Sequence, residues 1–334
     1  MPKRNLRWYG AVALVAVLSV ATLMIACQGA PGETGPAGPT GPAAPAGSAG
    51  PAGPPGTAVC SECHDDTTLI LAKRLQWEQS VHATGGAYVR GTSASCAGCH
   101  SGEGFVARIA AGIDPTEVKE GVTNPTPPNC RTCHKIHTTY TEADFALGTE
   151  VPVTLYVSGK TFDMGEGNLC VNCHQPRSQY VEVGMGDIEV TSTHWGPHHG
   201  PQSTVFLGLG GYGVDGSPSM HYNLVTEGCP VCHMVNDRHE MEPNVAACQS
   251  CHGEVEDFDI DGLQTEVEAL FEELGELLEA EGVLHDGHPV VGTYPEALAG
   301  ALWNYLVVYE DSSLGVHNPE FVKAILEKGI ELLK

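Results

Sequence analysis

Six copies of Cys-x-x-Cys-His punctuate this 334-residue chain, starting at Cys60, Cys96, Cys130, Cys170, Cys229 and Cys248. The paired cysteines are Cys60 and Cys63, Cys96 and Cys99, Cys130 and Cys133, Cys170 and Cys173, Cys229 and Cys232, and Cys248 and Cys251. In each pair the two thiols can add across the vinyl groups of one haem, and the next residue can reach its iron. Those next residues are His64, His100, His134, His174, His233 and His252. With 16 histidines in the chain, chance would place one after all six pairs with odds on the order of 10⁻⁸. A disulfide framework has no use for a histidine beside every pair. Zinc knuckles need a second ligand pair at a regular offset, and the intervals of 36, 34, 40, 59 and 19 residues show none. The expectation is six covalently attached haem c groups.

Each such iron has a sixth position to fill, and ten histidines remain: His82, His137, His194, His198, His199, His221, His239, His285, His288 and His317. Several stand in short motifs between the haem sites. The distal set expected from their placement is His82, His137, His199, His221, His239 and His317, with His198 as the substitute for His199. His194, His285 and His288 read as surface residues or exchange candidates. Methionine ligation would raise a haem's potential, and Met164, Met185, Met220, Met234 and Met241 offer it, but histidine is in surplus.

Some of these residues resemble a known group. The run Trp195-Gly196-Pro197-His198-His199-Gly200-Pro201-Gln202, the later Cys229 and Cys232 with His233-Met234, and Gly315-Val316-His317-Asn318-Pro319 are similar to multihaem cytochromes c related to the pentahaem nitrite reductases and octahaem reductases. Similar patterns occur in cytochromes that carry electrons to extracellular acceptors. The resemblance covers residues 60–334. It implies near-parallel and near-perpendicular haem pairs, distal histidines at motifs like these, and a C-terminal helical module. The nitrite reductases of the group bind their catalytic haem through Cys-x-x-Cys-Lys, which this chain lacks, so their catalytic residues do not carry over.

The elements that must position these ligands are sparse. Residues 60–252 allow about 32 residues per haem, too few to bury an ordinary core round every loop, so the porphyrins must supply most of the apolar interior. The expected fold is mostly α and irregular loops wrapped around a haem array, with few short strands, and a haem-free chain largely unfolded. A helix is expected over Thr67–Ala83, ending near His82. Leu263, Val267, Leu270, Phe271, Leu274, Leu277 and Leu278 recur at helical spacing. Further helices are expected from Pro295 to Tyr309 and after Pro319, where Asn318 can cap and Pro319 can open the last helix.

The N-terminal region has a different character. Lys3, Arg4 and Arg7 precede an apolar run, Ala11 to Ala26, too short for a comfortable membrane span. It ends Leu23-Met24-Ile25-Ala26-Cys27, which resembles a bacterial lipoprotein signal box and makes Cys27 the expected lipidation site. Gln28 after it favours the outer membrane, at the cell surface or the periplasmic face. Gly32, Gly35, Gly38 and Gly41, then Gly47, Gly50, Gly53 and Gly56, recur every third residue with prolines between. This is a collagen-like tract with a break at Ala44. Two readings stay open: a homotrimer or filament zipped through the tract, or a single polyproline-like tether reaching roughly 80 Å. The expected organisation is a signal peptide over 1–26, a lipid-anchored spacer over 27–57, a haem domain over 58–255 and the helical module over 256–334.

Removing Lys3, Arg4 and Arg7 moves the formal charge from −25 to −28. Such a field repels nucleic acid and suits basic redox proteins, partner cytochromes, or mineral and metal acceptors. Two functions follow. One is a carrier, not an enzyme, passing electrons along six bis-histidine haems. The other is a reductase of nitrite, hydroxylamine or a sulfur oxyanion, with one iron left open. Invariant proximal histidines and surplus distal ones favour the carrier.

Overall fold

The computed structural model describes residues 69–334, all within a compact unit that begins at Pro55. The first haem motif, Cys27 and the glycine-rich tract lie outside the described residues. Among the described residues no helix is long and apolar enough to cross a membrane.

The N-terminal part is short helices and loops. Helix α1 (Leu69–Trp77) is followed by a separate single turn, Val81–Thr84. One continuous helix to Ala83 does not form. The Ser80 hydroxyl accepts the Ala83 N–H at 3.3 Å and starts a new turn there, with Ser80 itself extended. Helix α2 (Ala94–His100) contains the second haem motif, and α3 (Gly102–Ala111) follows after Ser101 caps it. The third, fifth and sixth motifs also sit on single helical turns, Cys130–Cys133, Cys229–His233 and Gln249–His252, and the fourth starts at the end of another, Gly167–Val171, and runs on into a turn. Between residues 69 and 150 the only fully buried apolar side chains are Ala97 and Phe105.

Strands are few and short. Strand β1 (Val153–Thr154) pairs antiparallel with β2 (Thr161–Phe162), and β3 (Ile188–Val190) with β6 (Gly292–Tyr294), Val190 opposite Gly292. Strands β4 (Leu284–His285) and β5 (His288–Pro289) form a hairpin through Asp286 and Gly287, both at positive φ, the turn chemistry a tight hairpin needs.

The side-chain core lies at the C-terminal end. Helices α4 (Leu263–Ala280), α5 (Glu296–Asp311) and α6 (Pro319–Leu333) pack together with Val181, Val190, Val205 and Tyr212. Helix α5 is buried almost all round from Ala299 to Val308, as expected of a central helix. Its Asn304 is satisfied internally: Oδ1 accepts the Tyr212 N–H, and Nδ2 donates to Tyr212 O and Ile325 O. Asn318 caps α6 by accepting the Phe321 N–H, while its Nδ2 donates to Val205 O and Ser217 O. The cap therefore ties the last helix to the haem loops.

Gly300 is where α5 meets Tyr212 most closely, because a Cβ there would lie 2.3 Å from Tyr212 Cδ1. The ring cannot step aside cheaply, since its hydroxyl donates to Glu296 at 2.7 Å and its N–H to Asn304 at 2.6 Å. Gly300→Ala is expected to destabilise the protein by ~1–3 kcal/mol. Denaturant titration checks this, and an unchanged midpoint would contradict the packing described.

Candidate functional site

Five of the six motif histidines are described, and each faces a histidine from a distant part of the chain. The ring centres of His100 and His198 are 6.2 Å apart, those of His134 and His239 6.1 Å, and those of His174 and His82 6.2 Å. His233 and His317 stand 6.4 Å apart, and His252 and His221 6.2 Å. A metal bonded at ~2.0 Å to one nitrogen of each of two opposed imidazoles would set the ring centres about 6.3 Å apart. All five pairs have the spacing of two imidazoles on either side of one iron.

The ring nitrogens fit the same purpose. A ligand histidine must expose Nε2, which follows when Nδ1–H is engaged elsewhere. Nδ1 of His134 lies 2.7 Å from Phe145 O, that of His239 2.9 Å from Asp237 O, and that of His221 2.8 Å from Val316 O. His233 Nδ1 meets Met241 O at 3.1 Å, and His174 Nδ1 meets Gln202 Oε1 at 3.3 Å. His317 Nδ1 meets Asp311 Oδ1 at 2.8 Å. His198 Nε2 is buried with no hydrogen-bond partner. An orphaned imidazole nitrogen opposite a motif histidine is what a metal ligand leaves when seen without its metal.

Burial keeps most of these rings neutral, as a ligand must be. It lowers the pKa of His100, His174, His233 and His239. His198 and His82 are lowered to about 4, by burial first and then by Arg177 and His174 respectively. The His82 ring still presents exposed surface while being crowded by neighbouring atoms. His317 moves the other way: burial lowers it, but the Asp311 carboxylate outweighs burial and the net shift is upward.

The end of α5 organises two of the histidine pairs and the neighbour of a third. Asp311 holds His317 and Glu310 holds His199 Nδ1 at 2.7 Å, while the Gln202 amide donates to the carbonyls of both residues and presents its oxygen to His174. Trp195 packs edge-on against Trp303 of α5, with ring centres 5.4 Å apart, docking the Trp-Gly-Pro-His-His run on the core. His198 and His199 then both take positive φ, 73° and 43°, and their rings lie 5.4 Å apart at 40° to each other, each with a different partner.

This turn decides between the adjacent histidines. His198 faces His100, and His199 points instead to Glu310, exposed beside His194. His137, also expected as a distal ligand, stacks on Tyr140 with ring centres 5.4 Å apart at φ 63° and faces no described motif histidine. His194, His199 and His288 line a cavity of about 420 Å³ together with Trp195, Leu306 and Glu310. His285 stands exposed opposite His288 on the hairpin. Met241 Sδ contacts His82 Nδ1 at 2.8 Å and so sits behind that ring rather than across from a motif histidine. Met164 is buried in a small cluster with Leu155 and Phe162, and Met185 and Met220 are exposed. Gln202 closes the Trp195–Gln202 run, but no sequence signal pointed to Glu310 or Asp311, because single polar side chains carry no periodicity or spacing.

The ten described motif cysteines are all free thiols, and no three His, Cys, Asp or Glu side chains among the described residues could close round one ion. Instead, cysteines of different motifs meet. Cys173 Sγ lies 3.8 Å from Cys99 O, and Cys99 Sγ 3.9 Å from Asn172 O. The Cys99 and Cys173 thiols hydrogen-bond, drawing Cys99 down to about 7 and pushing Cys173 up. Cys229 and Cys170 interact in the same way, Cys229 lowered and Cys170 raised. Cys232 is raised by burial and then by nearby Cys248. These contacts link the second motif to the fourth, the fourth to the fifth, and the fifth to the sixth.

No family model matches the chain, and no curated protein is significantly similar to it. Among solved structures, the outer cell wall cytochrome OcwA is similar at 23% sequence identity and a TM-score of 0.52, over 78% of this chain and 50% of that one. The chain thus spans about half the length of that protein. The undecaheme cytochrome from the S-layer of Carboxydothermus ferrireducens aligns at 18% identity and a TM-score of 0.45, over 77% of this chain and 40% of that one. The described polypeptide has the largely helical fold of a multihaem cytochrome.

Proposed function

We propose that the chain is a c-type cytochrome that covalently holds six haems and carries electrons along them, without catalysing a reaction of its own. The observation that carries this reading is the set of five opposed histidine pairs, each joining one motif histidine to one distant histidine. Bound haem supplies an iron that takes up and gives up one electron at a time. The chain's own residues do the rest. Each histidine pair would hold an iron between its two rings, which would leave no position for a small substrate. The contacts Cys99–Cys173 and Cys170–Cys229 bring the second, fourth and fifth attachment sites together, with the fourth in the middle. A nitrite, hydroxylamine or sulfur-oxyanion reductase would need an open iron, and the five pairs leave only the His64 site for it.

The acceptor we infer is extracellular or periplasmic: a mineral or metal species, or a partner cytochrome, met by a strongly acidic surface. A lipid on Cys27 and the Gly-X-Y tract would hold the haem-bearing residues away from an outer membrane, either as a single tether or as a trimer.

Haem content with low-temperature EPR of the oxidised protein tests the reading. Six haems per chain, all low-spin, are expected. One high-spin iron in six would move the assignment to a reductase with its open site at His64. The ring planes add detail: near-perpendicular imidazoles leave the iron d orbitals nearly degenerate and broaden the g-anisotropy, whereas near-parallel ones split them. His100/His198 at 84° and His174/His82 at 78° are expected to give strongly anisotropic signals, and His134/His239 at 27° a rhombic one.

Asp311 makes a separate prediction. Its carboxylate, 1% exposed, accepts from His317 Nδ1 and makes that ligand more electron-donating. Asp311→Asn is expected to raise the midpoint potential of one haem and leave the other five in place. A redox titration with no midpoint moved upward would refute the assignment of His317 as a ligand.

A further inference from the structure

One buried arginine and one half-buried arginine meet no carboxylate among the described residues. Arg74 and Arg238 each meet an acid, Glu78 and Glu240. Arg108, only 3% exposed, does not: its Nη2 reaches Asn172 O at 3.1 Å and Oδ1 at 3.4 Å, its guanidinium lies 5.3 Å above the Phe105 ring, and its Nε is buried with no partner. Arg177 Nε is also buried and unpartnered. Burying an uncompensated guanidinium is costly. The chain has 41 acidic residues, so a carboxylate of its own was available in principle. Two orphaned N–H groups instead call for an anion that the polypeptide does not supply.

Both arginines lie at one haem site. Gly98 is inside the motif Cys96-Ala97-Gly98-Cys99-His100, and a Cβ there would come within 2.9 Å of Arg108 Cδ. The Arg108 stem therefore lies directly on the attachment loop, which only glycine permits. From the other side, the Arg177 backbone N–H donates to Pro197 O at 3.2 Å, next to His198, the histidine facing His100. Both arginines thus belong to segments packed at the second motif.

Resting on the haem reading above, we propose that Arg108 and Arg177 are positioning residues that form a cationic clamp for the propionate carboxylates of the haem attached at Cys96 and Cys99, and thereby raise that haem's potential. Guanidinium groups pair with carboxylates through two parallel N–H donors, which suits an orphaned Nε. A positive charge near an iron favours its reduced state, and pairing also neutralises propionates that would favour the oxidised one. The clamp singles out one site, since the fifth motif has the opposite influence beside it, the Asp311 carboxylate on His317.

The test is a spectroelectrochemical titration of the full haem-loaded protein carrying Arg177→Gln, Arg108→Gln, Arg177→Lys or Arg108→Lys, with haem content measured in parallel. Each Gln variant is expected to retain six haems and to lower one midpoint, shifting the reduced-to-oxidised ratio of that haem about tenfold at a fixed potential. The Lys variants should recover part of the shift, because they keep the charge but lose the fork. If Arg108→Gln does not fold, Arg177→Gln carries the test alone. Six haems with no midpoint moved, or with all six displaced together, would overturn the clamp. A wild-type haem count below six would remove the haem reading, and the proposal with it.

Discussion

His317→Ala is expected to turn one of six irons from low-spin to high-spin and to destabilise the protein by ~3–5 kcal/mol. Both effects come from the same side chain. His317 faces His233 at 6.4 Å between ring centres, so its loss opens the sixth position of the iron held by His233. Its Nδ1 also donates to Asp311, whose almost fully buried carboxylate would be left with the Ser313 hydroxyl and no cation. The two effects separate in the double variant. Adding Asp311→Asn should restore much of the stability and none of the low-spin signal. His82→Ala, opposite His174 and free of any carboxylate, should show the spin change with a smaller loss of stability. The decisive comparison is with neighbours: His198→Ala should produce a high-spin iron, and His199→Ala should not. If His199→Ala opens an iron while His198→Ala leaves all irons low-spin, the pairing of His100 with His198 is wrong.

Removing Cys170 and Cys173 together should have the widest effect on conduction. The haem count should drop from six to five, and reduction by an external donor should change from one phase to two. The reason is position. Cys173 contacts Cys99 and Cys170 contacts Cys229, so the fourth site stands between the second and the fifth, although the third motif intervenes in the chain. The same turn, Gly167–Val171, carries Val171 into the small core of Leu155, Phe162 and Met164, so folding and attachment are coupled there. Stopped-flow reduction with haem quantification checks the result. A five-haem protein that still reduces in a single phase at the wild-type rate would show that electrons bypass the fourth site. Removing Cys248 and Cys251, which among the described motifs meet the fifth through Cys232, should cost a haem without splitting the kinetics.

The attachment residues were legible in the sequence because their chemistry is local. Two thiols and a histidine within five residues need only one helical turn to face one porphyrin, and the described motifs lie on such turns or run on from one. The C-terminal helices were legible for a similar reason: apolar spacing from Leu263 to Leu278 and the Asn318-Pro319 start are short-range signals. The first helix was overestimated because Ser80 can end one helical segment and cap the next, a choice that periodicity does not register. The distal ligands belong to another class of problem. His82 lies 92 residues before its partner His174, and His317 lies 84 residues after His233. His198 and His199 have the same type and neighbourhood in sequence. Only the docking of Trp195 on Trp303, the left-handed backbone at both histidines and the pull of Glu310 on His199 turn one ring toward His100 and the other away. Composition and spacing determined what chemistry the chain can hold. Tertiary packing decided which histidine faces which, because that depends on where residues far apart in sequence are brought together.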